Sequence, residues 1–141
     1  MKVRHGEDTV PAHAKTTEEP FDVAALLAQF QENESTKTGT VVIHHGKVKQ
    51  PGVALLDFSH VLLTPVAEDP RAALAELARQ ALARFDLNQV LVVHRLGRVE
   101  PGGDVLFVAV SAATRKPAFE ACAWLVDAVK EEGAVRLTEQ P

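Results

Sequence analysis

The stretch from Gln89 to Lys130, QVLVVHRLGRVEPGGDVLFVAVSAATRKPAFEACAWLVDAVK, limits the fold more than any other part of the chain. Val90 to Val93 is a short apolar run, Val105 to Val110 is a second one rich in β-branched residues, and Pro101-Gly102-Gly103 between them signals a turn. The two runs read as paired strands. From Ala118 the apolar residues Ala118, Ala121, Cys122, Leu125, Val126 and Val129 recur on one helical face, with Glu120, Asp127, Glu131 and Glu132 largely off it. That spacing predicts a helix over 117–132. Thr114 is its expected cap, and Pro117 fits the first turn, where a missing N–H matters least.

The rest of the chain supplies elements of the same kind. Residues 1–20 mix charged residues, prolines and histidines without periodicity and are read as an irregular arm, leaving 21–141 as a single domain. Val23, Leu26, Leu27 and Phe30 predict a short helix over 22–31 capped by Asp22. Thr40 to Ile43 is a β-branched strand that His44 to Lys49 continues or ends, and Val53 to Leu56 and Val61 to Leu63 read as strand fragments. Asp69 and Pro70 open a helix over 70–86 on which Leu74, Leu77, Ala78, Ala81, Leu82 and Phe85 share a face. Gly133 should end the last helix, with Val135 and Leu137 in a final extended piece. The order α-β-β-α-β-β-α gives the α+β class, with helices packed on a mixed or antiparallel sheet.

Composition matters mainly for what it excludes. A formal net charge of -4 and the lack of a long basic tract argue against a nucleic-acid surface. No run reaches transmembrane length and no secretory segment follows Met1, so a cytoplasmic protein without membrane contact is expected. The single cysteine, Cys122, lies on the apolar helix face and reads as a small core residue. There is no Walker loop, no Rossmann glycine signature and no cysteine–histidine constellation, and His44 and His45, being adjacent, point to opposite faces of a strand. No metal site is expected. What remains is polar groups at element boundaries: His94 and Arg95, Arg115 and Lys116, Lys130, and Lys47 with Lys49, which share a face if their strand continues. Arginine grips phosphate or carboxylate through two donors, and lysine serves as a mobile ammonium or, with a lowered pKa, as a base or nucleophile. Solvent-facing charge accounts for the same residues, so spacing alone leads to a small-anion site and names no reaction.

The central block resembles the large, catalytic subunit of molybdopterin synthase, the MoaE family. VLVVHRLGRVEPGGDVLFVAVSAATRKPAFEACAWLVDAVK is similar to that family's His-Arg-x-Gly strand, Pro-Gly turn, Ser-x-His-Arg junction and Ala-Phe-Glu-Ala helix ending in lysine. GTVVIHHGKVK resembles its Gly-x-x-x-x-Phe-x-Gly-x-Val-Arg strand, and the likeness covers about residues 20 to 139. It implies the α/β hammerhead fold and transfer of sulfur from a thiocarboxylated, ubiquitin-like carrier subunit (MoaD-like) to cyclic pyranopterin monophosphate, forming the dithiolene of molybdopterin. No tightly bound cofactor is implied. The expected assembly is a homodimer, and with the carrier a heterotetramer. By the same resemblance Lys130 matches the essential lysine and Arg115 the junction arginine, while Arg95, Lys49, His94 and Arg136 are candidates for holding the anionic substrate or carrier terminus. Thr114 stands where the family has histidine, Lys49 where it has arginine, and Leu137 where it has a second lysine, with Arg136 beside it; the usual longer C-terminal tail is missing. An alternative with a degenerate site is a noncatalytic MoaE-like binding or regulatory protein.

Overall fold

Strand pairing on either side of Pro101-Gly103 builds the centre of the molecule. The computed structural model describes residues 11–131 and 133–141. Its elements are β1 (Ala12–Thr17), α1 (Val23–Glu32), β2 (Thr40–Lys47), β3 (His60–Pro65), α2 (Pro70–Arg84), β4 (Gln89–Arg95), β5 (Gly97–Val99), β6 (Asp104–Ala112), α3 (Arg115–Lys130) and β7 (Val135–Gln140). β4 and β6 pair antiparallel, with Val92 opposite Val108 and Val93 opposite Phe107. β2 adds to β6 antiparallel and β1 to β4 in parallel, so the larger sheet, ordered β1-β4-β6-β2, is mixed. A second, antiparallel sheet runs β5-β3-β7. This is an α+β domain with its helices against the mixed sheet, as the order of apolar periods required.

The larger sheet is buried on both faces. Val90, Val92, Val108 and Val110 pack with Leu74 and Ala78 of α2 and Leu125 and Val129 of α3, while Leu91, Val93, Phe107 and Ala109 pack with Phe30 of α1. Double-sided burial explains why β4 and β6 read as continuous apolar runs and not as alternating ones. Asp22 and Asp69 cap α1 and α2 as expected, each accepting a hydrogen bond at 3.1 Å, from the Ala25 and Ala72 N–H groups. Thr114 occupies the cap of α3 without a side-chain hydrogen bond to the helix, and the helix begins at Arg115.

Three expectations change. Residues 12–17, assigned to an irregular arm, form β1; Ala12 and Ala14 are buried, but alanine carries too little apolar weight to reveal a two-residue period. Residues 1–10 of the arm and Glu132 at the expected helix end lie outside the described residues. Val53–Leu56 is loop, with Val53 fully exposed and Leu56 84% exposed, and the strand starts only at His60. The link from β4 to β6 is also more than a turn. β5 leaves the central pair to join β3, and Gly102, at φ +90°, then makes the reversal in a conformation that favours glycine.

Candidate active site at the end of helix α3

Helix α3 is pinned by Ala118, Ala121, Cys122, Leu125 and Val129. That register leaves Lys130, directly after the last buried residue, exposed at the helix end. A cation there meets the negative end of the helix dipole. The facing element is β2. His44 lies opposite Val108, which belongs to the core under α3, whereas His45 lies opposite Phe107, which packs toward α1. The two histidines therefore point to opposite faces, as their adjacency demands. The His44 ring folds over Gly46, where an added Cβ would sit 2.8 Å from Nε2. Burial first, then the Lys130 charge and then His45, hold the His44 imidazole below its ordinary value of 6.5. A neutral imidazole can both accept and donate a proton. Sequence reasoning noted His44 only as a histidine unable to share a metal with His45; its approach to Lys130 needed the fold, because the two are remote in the chain.

Lys49 lies beyond the end of β2, whose register shifts between Gly46 and Lys47, so Lys47 and Lys49 do not form the common strand face their spacing allowed. Lys49 Nζ instead donates to the Pro51 carbonyl at 3.2 Å. Its loop is held by Glu139 of β7, whose carboxylate accepts the N–H groups of Val53 (2.7 Å), Ala54 (2.9 Å) and Leu55 (2.7 Å). A Cβ at Gly52 would collide with that carboxylate, so any larger residue there would have to displace the Glu139 side chain from its three donors. Desolvation pushes the Glu139 carboxyl upward, but the Leu55, Val53 and Ala54 donors and the Lys49 charge outweigh it and leave the pKa lowered. The stability this adds is full above the ordinary value of 4.5 and is lost as pH falls through the lowered folded value. In Glu139→Gln, urea midpoints measured from neutral to acid pH should lack that acid-side loss; an unchanged profile would remove Glu139 as the loop's pH-sensitive anchor.

The remaining candidates are dispersed. α3 has 16 residues, so Arg115, exposed at its start, is roughly 22 Å along the axis from Lys130 at about 1.5 Å per residue. Arg136 and Leu137 lie opposite Thr64 and Leu63 in the β3–β7 ladder. Adjacent strand residues project to opposite sides, so Arg136 does not place its charge where residue 137 points. His94 is 5% exposed and donates from Nδ1 to the Arg95 carbonyl at 2.8 Å; burial lowers its pKa, against the upward pull of that bond. Its parity with Val90 and Val92 puts it on the α2–α3 side, and Arg95, with the parity of Leu91 and Val93, turns to the α1 side. Of the expected candidates Lys130 stands at the helix end facing His44, which the sequence reading did not include, and Lys49 lies on the loop fixed by Glu139. Burial pushes the Cys122 thiol up to about 11, which leaves no thiolate nucleophile at neutral pH. Among the described residues no group of three or more histidine, cysteine, aspartate or glutamate side chains is placed to hold a metal ion.

Fold and site together define a two-sheet α+β domain that sets a helix-end lysine against a histidine on the edge strand of its mixed sheet. The chain belongs to the MoaE family: the family described as MoaE protein matches residues 16–132. It is 36% identical over 116 residues to the molybdopterin synthase catalytic subunit of Caulobacter vibrioides, covering 81% of this chain and 73% of that one. The structure of molybdopterin cofactor biosynthesis protein E from Burkholderia multivorans superposes with a TM-score of 0.76 at 26% identity, covering 92% of this chain and 84% of the other. A complex of subunits 1 and 2 of molybdopterin-converting factor from Helicobacter pylori shares the fold, with a TM-score of 0.71 at 16% identity over 89% of this chain and 83% of that one.

Proposed function

We propose that this chain is the large subunit of a molybdopterin synthase, moving sulfur from the thiocarboxylated C-terminus of a small carrier subunit into cyclic pyranopterin monophosphate. The observation that carries the reading is Lys130, at the open end of α3 with the His44 imidazole on the facing strand, in a chain of the MoaE family. Sulfur transfer breaks the carbonyl–sulfur bond of the carrier, where water supplies the oxygen that leaves a carboxylate, and forms a carbon–sulfur bond on the pterin as a carbon–oxygen bond there breaks, so negative charge develops and protons must move. The Lys130 ammonium offsets that charge, and His44 is placed to exchange a proton beside it. Lys49 attracts the anionic group, and the reading calls for no tightly bound cofactor.

The Helicobacter pylori complex of two subunits supports a carrier partner. Val53 and Leu56, exposed on the loop that Glu139 fixes, give a protein partner apolar surface beside Lys49. Because Arg115 is a helix length from Lys130, it can act on the same small substrate only if a second copy contributes it, which favours a homodimer with one carrier per large subunit. Sedimentation across a range of concentrations is expected to show the dimer, and a monomer mass throughout would remove Arg115 from the site. The reading places the protein in the cytoplasm; no described helix is long and apolar enough to cross a membrane.

Leu137, 39% exposed where the family has its second lysine, favours the other reading, a noncatalytic MoaE-like partner. Reconstitution with a verified thiocarboxylated carrier and pyranopterin monophosphate decides between them. Dithiolene product is expected from the wild-type chain. None from a well-folded protein would select the noncatalytic reading, and rescue by Leu137→Lys would locate the defect at that position.

A further inference from the structure

Arg95 is 9% exposed, and among the described residues its guanidinium has no hydrogen-bond or carboxylate partner; its Nε is closed off from solvent and unsatisfied. A buried cation without a counter-charge is among the least favourable arrangements a core can hold. Arg95 lines a pocket of about 450 Å³ together with Lys47, Arg98, Pro20 and the Pro101–Gly103 turn. Two carboxylates share the rim and both are committed elsewhere. Glu100 lies 3.8 Å from Arg98. Asp104 takes His45 Nε2 at 2.7 Å and the Phe21 N–H at 2.8 Å, with the Lys47 ammonium at 4.0 Å. The turn amides are also used, Gly102 N–H on the Val48 carbonyl and Gly103 N–H on the Glu100 carbonyl, so recognition falls to the side chains.

We propose that this pocket, on the α1 side of the mixed sheet and away from Lys130, is a second ligand site that takes a small molecule bearing a phosphoryl group. Arg95 supplies planar paired donors and Lys47 a mobile ammonium, a combination that matches a dianion better than a single carboxylate. The volume lies in the range of small-molecule pockets and leaves room for an organic body beyond the phosphoryl group. The site is independent of the sulfur-transfer reading, since Lys130 and His44 face the other side.

The test is thermal unfolding of the full chain in millimolar inorganic phosphate, with acetate as a second arm at matched ionic strength. Wild type should gain a saturable rise in Tm from phosphate and none from acetate. Lys130→Ala should keep that rise and Arg95→Met should lose it, while Arg95→Met without phosphate should melt no lower than wild type because an unpaired buried charge has gone. Should Arg95→Met fail to fold, Lys47→Met takes its place, and the Arg95 guanidinium Nη resonances of wild type must move on phosphate addition. An equal rise in wild type and Arg95→Met, a rise from acetate alone, or no response of wild type to phosphate would each overturn the proposal. So would weaker self-association of Arg95→Met without phosphate binding, because the missing counter-charge would then be a carboxylate of a second copy.

Discussion

Lys130→Ala should reduce dithiolene formation by about 10²- to 10⁴-fold, the range expected for a positioned proton-transfer group, while the protein stays folded. Lys130 is exposed at a helix end and alanine is the better helix former, so stability should move by no more than about 0.5 kcal/mol. The variant also carries a spectroscopic signature that a merely structural lysine would not produce. His44 is held below 6.5 by burial first and by Lys130 second, so deleting the charge should move its NMR titration upward but leave it under the ordinary value. The sign for stability follows from the same shift. The neutral His44 contributes fully above pH 6.5, and the contribution is lost as pH falls through the lowered folded value. Lys130→Ala should narrow that acid-side loss. Product formed at an unchanged rate would end the catalytic role, and an unmoved His44 titration would show that the two groups do not sense each other.

Phe107→Ala should be the most damaging single change to the fold, costing about 3 to 5 kcal/mol. Phe107 is fully buried in the centre of β6, and its ring meets Phe21 edge-on at 6.5 Å and His45 at 6.4 Å. Those contacts close the α1 side of the sheet over the Asp104 carboxylate that joins His45 to the Phe21 backbone. A loss of this size is a large share of the roughly 5 to 15 kcal/mol that holds an ordinary domain together. For a chain of this length it should lower Tm on the order of 10 to 20 °C. A scanning-calorimetry Tm within a few degrees of wild type would mean that α1 and the 17–22 connector collapse into the space, and that this side of the sheet is softer than its burial implies.

Local patterns carried much of this protein. The apolar spacing of 118–129, the Asp69-Pro70 start of α2 and the two valine-rich runs each state their own conformation, because a helical or strand period needs only neighbours in the chain to be legible. The identity of Lys130 as the residue to test was equally local, since it rests on a motif read along one helix. Where the signal was weak, the reading failed: two buried alanines do not announce β1, and a three-residue strand such as β5 shows no period at all. What surrounds Lys130 was decided only by tertiary structure. The sequence placed His94 next to Arg95, and Arg115 at the junction before the helix that ends near Lys130, which made them look like members of one site. Strand alternation sends His94 and Arg95 to opposite faces, and a helix of 16 residues holds its ends apart. Conversely, His44 feels the Lys130 charge and Glu139 reaches residues 53–55 only because β2 lies beside β6 under α3 and β7 lies beside β3. Electrostatic coupling depends on distance through space, and no periodicity along the chain encodes it.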